Sequence, residues 1–142
     1  RPIGWLSPAS KFIAISNPDF YPMFDRYSER GISAIISLDP AVARYVSTLD
    51  WPVLGDRPLK PQIDKRKYGE AELMERRETV HANYIQNSID YYGRYCRLCW
   101  FLLDEYGAAI RKRSKRVKGL DSTMTPLRLI DKALMKIGRP TP

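Results

Sequence analysis

Residues 68–115, YGEAELMERRETVHANYIQNSIDYYGRYCRLCWFLLDEYGAAIRKRSK, decide the fold. Leu73, Val80, Tyr84, Ile85, Ile89, Tyr92, Cys96, Cys99, Trp100 and Leu103 fall at three- and four-residue steps, the repeat of an apolar helix face. The stretch predicts one very long helix, or two with a break at Gly93 or Gly107, because glycine is a poor helix former. A spine of this length with shorter helices around it predicts an all-α domain of five to seven helices.

Outward from that spine, three dipeptides mark helix starts: Ser7-Pro8, Asp39-Pro40 and Thr125-Pro126. Each supplies a side-chain acceptor at the N-cap and a ring with preset φ at the first helical position. Helices are predicted over about 8–16, 40–49 and 126–137, the last stopped by Gly138 with Pro140 beyond it. A further short helix is expected from Tyr21 to Arg30, closed by Gly31, and the apolar segment Ile32 to Leu38 reads as strand or buried turn. Pro52, Gly55, Pro58 and Pro61 crowd residues 50–67, so that segment is expected to be an internal Pro-rich loop.

A chain of 142 residues with 44% hydrophobic side chains suits a single domain with a real core and excludes global disorder. No apolar run approaches the ~20 residues needed to span a bilayer, which predicts a soluble protein. Arg1 stands where an initiator Met would, and no leader follows, so the chain is expected to be a piece of a longer one. Cys96 and Cys99 are the only cysteines. Three apart on a helix they are poorly placed for a disulfide; core packing in a reducing, cytoplasmic setting is the expectation, with zinc or redox chemistry the alternative.

The net charge is +8, and residues 1–50 carry five basic and five acidic side chains. All of the excess therefore lies in residues 51–142, which favours a polyanionic partner, nucleic acid first. Two clusters hold much of it: Lys65, Arg66 and Lys67, and the run Arg111, Lys112, Arg113, Lys115, Arg116 and Lys118. Cations at a helix C-terminus also oppose its dipole, so the second cluster has a structural reading beside the phosphate-binding one. The aromatic stripe on the long helix reads as core. Tyr91, Tyr92 and Tyr95 cannot all point one way, so at least one is expected at the surface, where stacking on a base is possible.

The lone His81 has no partner at metal-ligand spacing, and no phosphate-cradling glycine loop or nucleophile elbow is present. No metal or cofactor is expected. What remains is carboxylate chemistry, and Asp25, set among Tyr21, Met23, Phe24 and Tyr27, is the candidate. Its competing reading is a first-turn Asp that pairs with a helix dipole or with Arg26 or Arg30.

The apolar helix after Ser7, the Asn17-Pro18-Asp19 connector and the Pro22-Met23-Phe24-Asp25 element resemble the catalytic segment of helix-hairpin-helix DNA glycosylases. They are also similar to uncharacterised bacterial proteins with a Ser-Lys-apolar helix and a Pro-(Ile/Met)-aromatic-Asp element. The resemblance covers residues 7–31. It implies that Asp25 stabilises the positive charge developing on the sugar as an extruded base leaves, a hydrolase of DNA repair. Only Ile3-Gly4 stands where the family carries its glycine-rich hairpin, and Lys11 lies past the position of a Schiff-base lysine.

The expectation is thus a nucleic-acid-binding protein, DNA ahead of RNA, with base excision through Asp25 as its catalytic form. The alternative is a non-enzymatic interaction module of a phage, plasmid or defence system that binds another protein. No membrane partner is expected.

Overall fold

The computed structural model describes residues 6–50, 58, 61–115 and 124–140. It is all-α: α1 (Leu6–Ser16), α2 (Arg26–Leu38), α3 (Pro40–Thr48), α4 (Glu70–Ser114) and α5 (Pro126–Gly138), with a 3-10 turn at Lys65–Lys67. No strand occurs among the described residues. Two of the Pro-marked starts are capped as the sequence predicts. Asp39 accepts from the Ala41 and Val42 amides ahead of α3, and Thr125 accepts from the Arg128 amide ahead of α5.

The spine is one helix of 45 residues, about 65 Å long at 1.5 Å per residue. It runs through both Gly93 and Gly107 without a break. A glycine costs a helix about 1 kcal/mol. Tyr95, Leu98, Cys99 and Leu102, which lie between the two glycines, are all buried, and burying a single large apolar side chain is worth about 1.5–3 kcal/mol. Packing decides the matter over propensity.

The region before α3 differs from the sequence expectation. Residues 21–25 are irregular rather than helical, α2 begins at Arg26, and it continues through Gly31 to Leu38, so the predicted strand or turn at Ile32–Leu38 is the second half of a helix. Gly31 is therefore a contact residue and not a stop. A Cβ on Gly31 would lie inside the backbone of Leu134, and one on Gly138 would overlap the Tyr27 carbonyl and the Gly31 amide. These two glycines let α2 and α5 cross backbone to backbone. Along α2, Ile32 is buried, and Ile35 and Ile36 pack at its side against the core.

Of the predicted 50–67 loop, residues 51–57, 59 and 60 lie outside the described residues. Residues 61–64 are irregular, and Asp64 caps the turn that follows by accepting from the Arg66 amide. No helix among the described residues is long and apolar enough to cross a membrane.

Tyr91, Tyr92 and Tyr95 are all buried, against the expectation that one would reach the surface. They point different ways, but α4 is covered on more than one side. The Tyr91 hydroxyl donates to Glu29 on α2 at 2.7 Å, and that of Tyr92 to the Pro22 carbonyl at 2.6 Å. Tyr95 reaches the Met23 carbonyl at 2.8 Å. The tyrosines thus combine apolar rings for the core with hydroxyls that satisfy an irregular, buried backbone. Among the described residues, the Phe, Tyr and Trp side chains left exposed are Phe12, Phe20, Tyr21 and Trp100. Both cysteines are free thiols, Cys99 buried and Cys96 half-buried. Burial pushes the Cys99 thiol well up and that of Cys96 up to about 11, so neither offers a reactive thiolate near neutral pH.

Candidate functional site

Asp25 is the N-cap of α2, with extended backbone. Its Oδ1 accepts from the Tyr27 and Ser28 amides, each at 2.8 Å, and from the Ser28 hydroxyl at 3.1 Å. Those contacts satisfy amides that a helix start leaves without partners. The guanidinium of Arg26 lies 5.1 Å from the Tyr27 ring centroid and that of Arg139 lies 5.7 Å from it, placing two cations beside the start of α2.

The segment carrying Asp25 is held by side chains from three helices. The Phe24 amide lies 3.2 Å from the Ser10 hydroxyl on α1. Trp100 Nε1 donates to the Phe20 carbonyl at 3.3 Å, and the Thr125 hydroxyl to that of Pro18 at 3.0 Å. At the centre, the Met23 amide donates to Asp131 Oδ2 at 2.8 Å, while Tyr95 Oη stands 2.8 Å from the Met23 carbonyl and 3.2 Å from Asp131 Oδ1. Tyr95 has a single hydroxyl proton. Both the Met23 carbonyl and the Asp131 carboxylate lie in range to accept it, and when the carboxyl is protonated it can donate to Tyr95 Oη instead.

Burial pushes the Asp131 carboxyl up to about 7, with Asp25 adding to that push. The Met23 amide, Tyr95 and Arg128 pull the other way, Arg128 from 3.9 Å. Asp131 thus closes a ring of hydrogen bonds around the backbone of one residue, Met23. At 2% exposure it clamps the loop, and it also lines the cleft beside it. The sequence reading did not single it out, although a signal is present. Asp131 falls on the apolar stripe of α5 with Leu127, Ile130 and Leu134, all buried, and a charged residue on such a stripe requires partners.

Beside this clamp lies a cleft of about 490 Å³, whose lining includes Pro18, Met23, Thr125, Arg128, Lys132 and Met135. Arg128, Lys132 and Lys136 are spaced i, i+4, i+8 on α5 and so share one helix face. Their spacing hid this row from a search for basic runs.

The predicted basic clusters do not converge. Lys65, Arg66 and Lys67 are exposed in the 3-10 turn before α4, and Arg111, Lys112, Arg113 and Lys115 are exposed at its far end. The length of α4 separates the two groups by about 65 Å. Arg116 and Lys118 lie outside the described residues. No group of His, Cys, Asp and Glu that could hold a metal ion occurs among the described residues.

No protein-family model, curated protein or solved structure matches the chain.

Proposed function

We propose that this chain binds nucleic acid through phosphate contacts made at several separated points, duplex DNA being the first ligand to test. The observation that carries the reading is the placement of charge. Exposed cations stand at both ends of α4, and a third row lines one face of α5. Contacts about 65 Å apart cannot grip one phosphate, but they can follow a duplex whose strands rise 3.4 Å per nucleotide, over about 19 steps.

Affinity measured across a salt series should fall steeply with salt on a duplex of about 30 base pairs and less steeply on one of about 10. Replacing Lys65, Arg66 and Lys67 together with Ala should reduce the salt slope on the long duplex by up to about 3. A flat salt response on the long duplex defeats the proposal.

Base excision through Asp25 is the catalytic form of this reading. All three capping contacts use Oδ1, so Oδ2 takes no part in the cap. Asn is as good an N-cap as Asp, whereas Ala costs about 0.5–2 kcal/mol. Asp25→Asn should therefore keep the melting temperature and DNA affinity while losing base release from damaged duplexes. Asp25→Ala should melt earlier. Base release by the Asn variant at the wild-type rate would remove Asp25 from the chemistry.

A further inference from the structure

We infer that the groove bounded by α2, α4 and α5 is a docking site for an acidic amphipathic helix of a partner protein. The inference goes beyond the nucleic-acid reading and does not rest on it, although both use the basic end of α4.

The groove has a volume of about 300 Å³, and its lining includes Ile35 from α2, the α3 cap Asp39, Leu102, Tyr106 and Ile110 from α4, and Ala133 and Ile137 from α5. Its polar groups are already engaged. The Tyr106 hydroxyl donates to Asp39, whose other oxygen caps α3. At the lip, Ile137 is 47% exposed, and nearby Leu38 is 82% exposed.

Charge selects the occupant. Leu102, Tyr106 and Ile110 form an i, i+4, i+8 row, and Arg113, three residues past Ile110, continues that row on the same helix face. Lys112 and Lys115 are exposed on other faces of the same helix end, and Lys136 precedes Ile137 on α5. An apolar trough that ends at Arg113, among the exposed cations of the α4 C-terminus, favours a ligand with aliphatic side chains on one face and carboxylates toward that end. A helix fits because α4 and α5 pack against each other, and a groove between paired helices accepts the ridge of a third. Nucleic acid does not suit the trough itself, which offers mainly aliphatic side chains and little for a base to stack on.

A fluorescein-labelled peptide of about 15 residues, with Leu at i, i+3, i+4 and i+7 and Glu along the flank, tests the assignment by anisotropy. We expect micromolar binding that weakens at least tenfold in Ile137→Asp and in the Lys112→Glu/Arg113→Glu double variant. Ala133→Leu, which places the protein's own side chain in the groove, should weaken it likewise, and changing Lys65, Arg66 and Lys67 should leave it intact.

Ala133→Leu, which changes no charge, should leave duplex DNA affinity unchanged, so failure of the docking site and failure of the nucleic-acid reading are distinguishable. Equal binding of a scrambled peptide, or of one with Lys in place of Glu, would overturn the inference. So would wild-type affinity in Ile137→Asp and Ala133→Leu, both checked for native melting. A wild-type dimer in sedimentation that Ile137→Asp dissociates would assign the groove to a second copy instead.

Discussion

Gly31→Ala is expected to lower the free energy of unfolding by about 3 kcal/mol or more, at the upper end of what overpacking costs. The added Cβ would sit inside the Leu134 backbone. A flexible side chain could rotate away from such an overlap, but a peptide group in a helix cannot, so α2 and α5 must separate along their contact. Leu127, Ile130 and Leu134 of α5 and Ile32 of α2 are buried, and separation would loosen all of them. Gly138→Ala should behave similarly, because its Cβ would overlap Tyr27 and Gly31. The double variant should cost less than the sum of the two, since both press on the same crossing. Gly93→Ala provides the contrast. A Cβ there meets nothing within 4 Å, so the change should stabilise the helix by about 0.5–1 kcal/mol. Urea midpoints read all four variants, and a Gly31→Ala midpoint at or above wild type would refute the close crossing.

The same glycine shows why part of the fold was hidden in the sequence. Gly ends helices in the left-handed conformation and also permits backbones to touch, and the two uses look identical until the partner helix is known. Read as a stop, Gly31 split α2 and left Ile32–Leu38 as a strand or buried turn. The long helix and two of the three Pro-marked starts were legible because their signals are local, periodicity along one segment or a cap next to a ring, whereas α1 begins at Leu6 and so takes Ser7 inside the helix. The tyrosines were only half legible. Helical geometry correctly required Tyr91, Tyr92 and Tyr95 to diverge, but whether each direction was covered depended on a loop some 70 residues away in the chain, as in the Tyr92 to Pro22 bond.

The candidate site follows the same rule. Basic runs announced themselves as charge, and their separation followed once α4 proved continuous. The α5 row and Asp131 needed the helix register before they could be seen. Asp25 carried two readings in sequence, and its capping bonds establish a structural role without addressing the catalytic one.

Asp131 carries the second large effect, and its sign is opposite to that of an ordinary carboxylate. Its folded pKa is raised from 3.8 to about 7, so between those values the native state holds a proton that the unfolded chain has released. Stability then falls as pH rises through this window and levels off above about pH 7. The shift corresponds to about 4 kcal/mol across the window, undiminished by solvent because the side chain is 3% exposed. Asp39 acts in the opposite sense: its hydrogen bond from Tyr106 lowers its pKa below 3.8, so its contribution is lost only at lower pH. Asp131→Asn isolates the effect. The amide nitrogen can donate to Tyr95 Oη where the protonated carboxyl would, and the amide oxygen can accept from Met23, so the ring of hydrogen bonds survives without a titratable group. This variant should match wild type near pH 4, exceed it at pH 8, and show no slope between. Asp131→Ala should be weaker than Asp131→Asn throughout, because it leaves the buried Met23 amide without a partner at a cost of about 1–3 kcal/mol. Urea unfolding at intervals from pH 4 to pH 8 gives the comparison; an equal slope in wild type and Asp131→Asn would mean that Asp131 is not the group that titrates.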